Sequence, residues 1–277
     1  MWRVCGHGSK NGDEGFGIMT RITEKLDNLK KANKKAFIPF ITAGDPTLSA
    51  TEKYMMDLQN AGADIIELGV PFTDPLADGP TIQASHARAL KRGVAPNDVL
   101  RMIKKMRKKI YIPIVLMLSM NLVQAPKTEN FLQSCAGAGV DGLIVPDLAP
   151  EEAGKYLENA RRLRIDTIFL AAPTSTEGRI RTIAKVSSGF VYLVSITGTT
   201  GARASLPSEI SQSVLRVRGA TQLPVCVGFG ISNPSQAKEI AQHCDGVIVG
   251  SAIVERIEKK QSVASFAHSL ARAVHTI

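Results

Sequence analysis

Eight short apolar runs alternate with amphipathic helical patterns, and this alternation limits what the chain can fold into. The runs are rich in β-branched residues and apolar throughout, as strands covered on both faces are. They occupy residues 36–42, 64–70, 112–118, 141–147, 166–172, 190–196, 223–229 and 245–251. Eight strand–helix units in about 250 residues are typical of a (β/α)₈ barrel. We therefore predict an α/β fold with a single TIM barrel, with an open doubly wound sheet as the alternative.

The N-terminal region divides into two parts. Residues 1–18 are glycine-rich and polar, and we expect them to form a disordered extension. A helical pattern begins at Met19, and it predicts an additional N-terminal helix that plugs the barrel ahead of the first strand. No Pro/Gly/Ser-rich linker divides the rest, so residues 19–277 are predicted to be one TIM-barrel catalytic domain.

Composition argues against several classes of protein. No apolar run approaches the ~20 residues of a membrane span, and residues 1–18 show no signal peptide or clear transit peptide. The four cysteines are scattered without CxxC spacing, which indicates reduced thiols in the cytoplasm, although a plastid location stays open. The net charge of +9 comes largely from lysines on helix faces, and aromatics make up only 5% of the chain. We therefore expect neither a membrane nor a nucleic-acid partner.

Glycines follow the last three predicted strands, at the end where TIM barrels bind their substrates. Ser251 begins a short helical pattern after strand 8. The glycines of these three loops are Gly198, Gly201, Gly228, Gly230 and Gly250. Glycine lets backbone N–H groups approach a ligand closely, and a helix N-terminus attracts anions. The three loops together predict a phosphate cradle; the alternative is that the glycines only form turns.

Missing residue types narrow the chemistry. No lysine ends a predicted strand, which argues against a Schiff-base aldolase, and no serine stands in a GxSxG elbow. The histidines are dispersed, so we expect no metal site. His86, in the helix after an acidic loop, is interpreted as a surface or packing residue.

Carboxylates near the end of the second run remain as candidates for catalysis. Glu67 lies inside an apolar strand, where burial should raise its pKa and suit it to proton transfer near neutrality. The alternative is a structural glutamate in a salt bridge. Asp78 follows eleven residues later and could fold back over the same mouth, whereas Asp74 lies at the tip of the loop. The predicted apolar lining of this pocket is Phe40, Ile82, Met117, Ile144, Tyr192 and Phe229.

Several stretches of the chain resemble the α subunit of tryptophan synthase. The resemblance runs from Met19 to the C-terminus, and the stretches that carry it are PFITAGDP, IELGVPFTDPLADGPTIQ, DGLIVPDL, YLVSITGTTGAR, VGFGIS and GVIVGSAIV. The loop after the second strand is the most specific of them. Members of that family are (β/α)₈ barrels, lyases that cleave indole-3-glycerol phosphate to indole and glyceraldehyde 3-phosphate in tryptophan biosynthesis. The resemblance implies the same fold and reaction here.

The resemblance also implies roles for individual residues. Glu67 matches the acid–base glutamate of the family, and Asp78 matches the aspartate that hydrogen-bonds the indole N–H, so both are expected to be catalytic. The implied substrate-binding positions, around the phosphate, the indole and the glycerol chain, are Phe40, Tyr192, Thr200, Gly201, Phe229, Gly230, Gly250 and Ser251.

The family works as an αββα complex in which indole passes through a tunnel to a β subunit that carries pyridoxal phosphate. The resemblance implies the same partner here, no cofactor in this chain, and a contact or coupling role for Asp74.

One departure stands out: Ser119 occupies a position where the family usually has a tyrosine. Without the phenol of that tyrosine, an alternative function stays open: a catalytically weak subunit that acts mainly as an allosteric activator of the β subunit. A sugar-phosphate isomerase on a similar barrel is a further alternative.

Overall fold

The computed structural model describes residues 19–73, 78–124, 127–194, 206–228 and 230–277. Its strands are β1 Ala36–Thr42, β2 Ile66–Gly69, β3 Ile114–Met117, β4 Gly142–Ile144, β5 Asp166–Ile168, β6 Leu170–Ala171, β7 Val191–Val194, β8 Val225–Gly228 and β9 Gly246–Val249. Its α-helices are α1 Arg21–Lys31, α2 Leu48–Asn60, α3 Pro80–Lys91, α4 Pro96–Met106, α5 Met120–Gln124, α6 Thr128–Ala138, α7 Gly154–Arg162, α8 Glu177–Val186, α9 Leu206–Arg218, α10 Pro234–Ala241, α11 Ser251–Glu258 and α12 Val263–His275, with one 3₁₀ turn at Pro150–Glu152.

All strand pairs are parallel, and the strand order is β5-β4-β3-β2-β1-β9-β8-β7-β6. The two ends of this order are consecutive in the chain, since only Phe169 separates β5 from β6. Strand β5 pairs with β4, and β6 pairs with β7. The fifth predicted run is therefore one strand that changes partner midway, and this change closes the barrel. The predicted (β/α)₈ fold is confirmed.

The sheet separates two apolar layers. The outer layer lies between strands and helices and contains Ile66 and Leu68, whereas the interior contains Ile65. Successive side chains of a strand point to opposite faces, so Glu67 points into the barrel. The other interior residues are Ile22, Leu26, Ala36, Ile38, Phe40, Val115, Met117, Ile144, Ile168, Phe190, Tyr192, Cys226, Ile248 and Val254.

Helix α1 closes the amino-terminal end of the barrel, as the sequence predicts. Its N-cap, Thr20, accepts a hydrogen bond from the Thr23 N–H, and its buried residues Ile22 and Leu26 join the interior layer. The fit is tight, because a Cβ on Gly142 would lie 2.8 Å from Ile22 Cδ1. Within the described residues, α1 thus fills the amino-terminal end of the barrel interior.

Aspartates brace the amino-terminal ends of the strands. Asp64 accepts the Phe37 N–H at 2.9 Å, and Asp245 accepts the Val225 N–H at 2.9 Å. Asp141 accepts the Ile114 N–H at 2.8 Å and pairs with the guanidinium groups of Arg21 and Arg107. Each carboxylate therefore ties the start of one strand to the start of its neighbour. We call this end of the barrel, where Asp64, Asp141 and Asp245 lie, the base.

The surface agrees with the interpretation of the basic clusters. Along α4 and the turn after it, Met102, Ile103, Met106 and Ile110 are buried, and Lys104 and Lys105 are exposed. Within the described ranges, no helix combines the length and the apolarity needed to cross a bilayer. Cys135, Cys226 and Cys244 are free and buried.

Candidate active site at the carboxyl end of the barrel

A cavity of about 230 Å³ opens at the carboxyl ends of the strands. It brings together residues from β1, β2, β3, β7, β8 and β9, which lie far apart in the sequence. The lining consists of Phe40, Glu67, Asp78, Ile82, Met117, Tyr192, Gly228, Gly230, Ile231, Ser232, Ile248, Gly250, Ser251, Ala252 and Glu255. Ten of the residues predicted for the site are in this set: Phe40, Glu67, Asp78, Ile82, Met117, Tyr192, Gly228, Gly230, Gly250 and Ser251. Ile144 is buried in the barrel interior and is not part of the lining.

Glu67 is the most unusual carboxyl group in the described structure. It is 1% exposed, its Cα pairs with that of Phe40 across β1 and β2, and neither carboxyl oxygen has a hydrogen-bond partner among the described residues. Burial, and secondarily the charge of Asp78, raises its pKa to about 8. No cation among the described residues pairs with this group, so the described structure gives no support to the salt-bridged alternative. At neutral pH the side chain therefore carries a proton that it can release.

Asp78 approaches Glu67 from the loop after β2, as the sequence suggests. Its side chain is 10% exposed, and burial raises its pKa to about 6. It stays largely ionised at neutral pH, because its pKa lies below 7. The site thus holds one protonated and one ionised carboxyl group side by side, an arrangement that separates an acid from a charge stabiliser.

His86 is the residue that the sequence reading undervalued. It is 2% exposed. The interpretation as a surface residue is therefore wrong, whereas the interpretation as a packing residue agrees with its burial. Its Nδ1 accepts the Phe72 N–H at 3.3 Å, its ring meets the Phe72 ring edge-on at 5.2 Å, and its Nε2 lies 3.7 Å from Asp78 Oδ2. Burial lowers its pKa to about 4, so the ring is neutral. A signal was available: His86 shares a helix face with Ile82 and Ala89.

Part of the cavity wall is built from backbone. Gly250 is the N-cap of α11 and supplies no side chain to cap it, and the first residues of this helix, Ser251 and Ala252, line the cavity. Unpaired N–H groups at a helix start attract anions. Gly230 has φ +42°, and a Cβ there would meet nothing within 4 Å, which leaves room for a ligand. This wall is suited to a phosphate group.

An ion-pair network fixes the two helices that flank the cavity. Arg88 on α3 donates to both carboxylate oxygens of Asp45, at 2.8 and 2.7 Å, and to Glu258 of α11 at 2.9 Å. A two-point contact between guanidinium and carboxylate fixes orientation as well as distance. The loop after β1, the helix that carries His86 and the helix that begins at Ser251 are therefore held as one unit.

Tyr192 and Gly228 pack closely on neighbouring strands. A Cβ on Gly228 would lie 2.7 Å from the Tyr192 hydroxyl oxygen, so glycine is required for the phenol to occupy this place. Burial, followed by the charges of Glu67 and Asp78, raises the pKa of Tyr192 well above its ordinary value. The phenol keeps its proton and can serve as a hydrogen-bond donor near both carboxyl groups.

Ser119 shows what replaces the family's tyrosine. Its hydroxyl donates to Asp147 Oδ2 at 2.6 Å, and the Met120 N–H donates to the same carboxylate at 2.8 Å. Ser119 is buried and is not part of the cavity lining. The hydroxyl at this position is therefore used to fix the loop after β3.

Four predicted site residues lie outside the described residues: Asp74, Thr200, Gly201 and Phe229. Gly198, proposed for the phosphate cradle, falls in the same category. Their roles stay predictions. The described part of the site still contains both carboxyl groups and the α11 end of the phosphate cradle.

A second cavity, of about 300 Å³, lies at the amino-terminal end of the barrel. Its lining includes Lys30, Lys34, Lys35, Arg218 and Asp245, and Arg218 pairs with Asp245 at 2.8 Å. Asp245 is thus paired with a cation. In the cavity at the carboxyl ends of the strands, by contrast, Glu67 has no partner among the described residues and its pKa is raised. Of these two cavities, the one at the carboxyl ends of the strands therefore has the side chains that proton transfer needs.

Comparisons with known proteins agree with this geometry. The profile of the family described as "Tryptophan synthase alpha chain" matches residues 26–276. The tryptophan synthase alpha chain of Geobacter sp. (strain M21) is 49% identical over 243 residues, which cover 88% of this chain and 91% of the relative. That of Geotalea daltonii is 50% identical over 241 residues, 87% of this chain and 91% of the relative.

Solved structures give the same result. A chain of Mycobacterium tuberculosis tryptophan synthase, crystallised in space group F222, superposes with a TM-score of 0.86 at 36% identity, covering 93% of this chain and 99% of that one. Family profile, sequence relatives and backbone geometry thus agree over nearly the whole described barrel. The chain belongs to the tryptophan synthase alpha chain family.

Proposed function

We propose that the chain cleaves indole-3-glycerol phosphate to indole and glyceraldehyde 3-phosphate, with Glu67 as the acid–base group and Asp78 as its charged partner. This is a lyase reaction of tryptophan biosynthesis, the pathway of its family. One observation carries the assignment of residues: an acid whose oxygens have no partner among the described residues is buried in the same cavity as a second carboxyl group, and the start of a helix lines that cavity as well.

The reaction needs two proton transfers. C3 of the indole must gain a proton before the bond to the glycerol chain breaks, and the hydroxyl next to that bond must lose one as the aldehyde forms. Glu67 is protonated near neutral pH and can supply the first proton. The carboxylate so formed then accepts the hydroxyl proton, and the enzyme returns to its starting state. A positioned acid–base group contributes about 10²–10⁴ in rate.

Asp78 stabilises the charge that forms between these two steps. Protonation at C3 makes the indole ring cationic and its N–H strongly acidic. An ionised Asp78 that accepts this N–H would lower the energy of the intermediate, and burial strengthens the interaction because little water competes. Phe40, Met117 and Tyr192 supply the apolar walls between which a flat ring fits.

The phosphate would bind at the start of α11. Ser251 offers a hydroxyl and Gly250 and Ala252 offer backbone, and a doubly charged anion is attracted by the helix dipole. Thr200, Gly201 and Gly230 complete the proposed cradle, and Phe229 the pocket for the organic part. Binding the anion at the start of α11 would fix the orientation of the substrate in the cavity that Glu67 lines.

We propose a β subunit as the protein partner, an αββα assembly, and a contact of Asp74 with that partner. The relatives with solved structures include a chain from a structure described as Mycobacterium tuberculosis tryptophan synthase, which supports the partner. Pyridoxal phosphate is assigned to the β subunit, because the described lining offers no lysine to bind it as a Schiff base. A cytoplasmic location fits the buried free thiols.

The test is an assay of indole release by the purified chain, alone and with a tryptophan synthase β subunit, using indole-3-glycerol phosphate as the substrate. We expect release in both settings and faster release in the complex. Stimulation of the β subunit without any release would instead support the weak regulatory subunit, which the unpartnered acid in the cavity does not favour. Absence of both effects would refute the proposed function.

A further inference from the structure

His86 lies where it can act on the reaction without touching the substrate. Its ring is buried behind the cavity, between Phe72 at one end of the loop after β2 and Asp78 at the other. Among the described residues, the Phe72 N–H is the hydrogen-bond partner of Nδ1, and Nε2 has no hydrogen-bond partner. A single side chain on α3 therefore contacts both ends of the loop that delivers the charged partner of Glu67.

The contact with Phe72 defines where the proton of the ring sits. The Phe72 N–H donates to Nδ1, so Nδ1 carries a lone pair. A neutral imidazole has one N–H, which must then be on Nε2. Burial keeps the ring neutral, because it lowers the pKa to about 4. The donor Nε2–H consequently faces Asp78 Oδ2.

This donor has no hydrogen-bond partner among the described residues, although it is fully buried. Leaving a buried donor unpaired destabilises the fold, a penalty that an apolar side chain of similar size would avoid. The distance to Asp78 is 3.7 Å, beyond the usual range of 2.7–3.2 Å for a hydrogen bond of this kind. Catalytic hydrogen bonds are often long in free enzymes and shorten when substrate binds. A shift of less than 1 Å closes this one.

We propose that His86 is a positioning residue: in the substrate complex its Nε2–H donates to the carboxylate of Asp78, while Nδ1 holds the Phe72 N–H, so that the ring clamps both ends of the loop. The proposal rests on the proposed function, since it deepens the role of Asp78 in that reaction. A donor behind Asp78 favours its ionised form and leaves its other oxygen to accept the indole N–H.

Two variants separate the two ring nitrogens. In His86→Asn the amide can still accept the Phe72 N–H but is too short to reach Asp78. In His86→Gln the longer amide can donate to Asp78 but does not reproduce the Nδ1 contact. We expect His86→Asn to lower kcat about tenfold with little change in KM, and His86→Gln to restore most of that loss. Equal activity of all three proteins, or equal losses in both variants, would overturn the proposal.

A double-mutant cycle then tests whether His86 acts through Asp78. In an Asp78→Asn background, His86→Asn should cause little further loss of kcat, because the acceptor is already neutral. A full additional tenfold loss would show that the histidine acts through packing alone, and would reject the proposal. Thermal unfolding of each variant establishes that the proteins compared are folded.

A nitrogen NMR measurement supplies a readout that needs no turnover. The His86 ring should show a protonated Nε2 and a bare Nδ1 in the free chain, and the Nε2 proton should move downfield when an uncleavable indole-propyl phosphate analogue binds. An Nδ1-protonated ring, or no shift on binding, would contradict the clamp.

A wild-type chain that releases no indole would instead count against the proposed function. Failure of the proposed function and failure of the His86 proposal can therefore be told apart.

Discussion

Both ends of this barrel bury acidic side chains, but they treat them in opposite ways. At the base, Asp64, Asp141 and Asp245 accept backbone N–H groups and pair with cations. At the mouth, Glu67 has no hydrogen-bond partner among the described residues, and a neutral histidine nitrogen lies 3.7 Å from the Asp78 carboxylate. The base uses its carboxylates to join strands, whereas the mouth leaves an acid free to exchange a proton.

The difference follows from how each charge is balanced. A carboxylate that accepts several N–H groups is stabilised in its ionised form, and burial without such donors has the reverse effect. Within the described residues, the pKa of Glu67 is accordingly raised to about 8. An unpaired buried acid destabilises the fold, and its presence at a cavity is therefore a sign of function. Replacing residues at each end should produce opposite kinds of damage.

The largest expected effect is on turnover at the mouth. Glu67→Gln removes the proton carrier while keeping the size of the side chain, so kcat should fall by about 10²–10⁴. Binding of inorganic phosphate or of a phosphate analogue should be unchanged, because the α11 wall is intact. Steady-state assays of indole release and a calorimetric titration check the two parts. Near-normal cleavage by this variant would remove Glu67 from the mechanism.

The second prediction concerns stability at the base. Asp141→Asn leaves the buried guanidinium of Arg107 without its counter-charge, and breaking such a pair costs about 3–5 kcal/mol. The free energy of unfolding, measured by denaturant titration, should fall by this amount, with kcat unchanged at a temperature where the variant is folded. A loss of activity in fully folded Asp141→Asn would contradict the division between base and mouth.

The third prediction reverses the sign of the stability effect. Burial raises the pKa of Glu67 from its ordinary value of 4.5 to about 8 in the folded chain, so the wild type loses stability as the pH rises from about 4.5 to about 8. Glu67→Gln cannot lose that proton. Its free energy of unfolding should exceed that of wild type by about 2–4 kcal/mol at pH 9 and by much less at pH 5. A difference independent of pH would show that Glu67 is not protonated in the folded state.

The smallest expected effect is a shift in a pH profile. Activity needs Asp78 ionised and Glu67 protonated, so kcat/KM should rise near pH 6 and fall near pH 8. The charge of Asp78 contributes to the raised pKa of Glu67. In Asp78→Asn, where the residual activity is low, the alkaline limb should therefore move down by a fraction of a pH unit to about one unit. An unmoved limb would mean that the two carboxyl groups are not coupled.

The positions of the strands could be predicted from the sequence because a parallel barrel buries both faces of each strand. Continuous apolar runs mark such strands, and β1 has the predicted bounds, 36–42. The other strands are shorter than predicted, because apolar residues continue into the turns that pack beneath the helices. The partner change at Phe169 was not foreseen, since a ladder depends on the neighbouring strands and not on the run itself.

The site was predictable only in part. Glu67 could be chosen because a charged residue within an apolar run must be buried, and the glycines because they follow strand ends. His86 was missed because its importance depends on the loop after β2 folding back onto α3. Its place on the buried face of α3, with Ser85 and Ala89, was the available sign.

The amino-acid sequence by itself determined the repeating strand–helix units, the burial of Glu67 and the family. Local patterns determine these features, because the period of apolar residues and the buried position of a charge do not depend on distant contacts. The tertiary structure alone decided which acids are paired and which are left unpaired. That outcome depends on groups from separate strands and loops meeting within a few ångströms, and no stretch of sequence contains those distances.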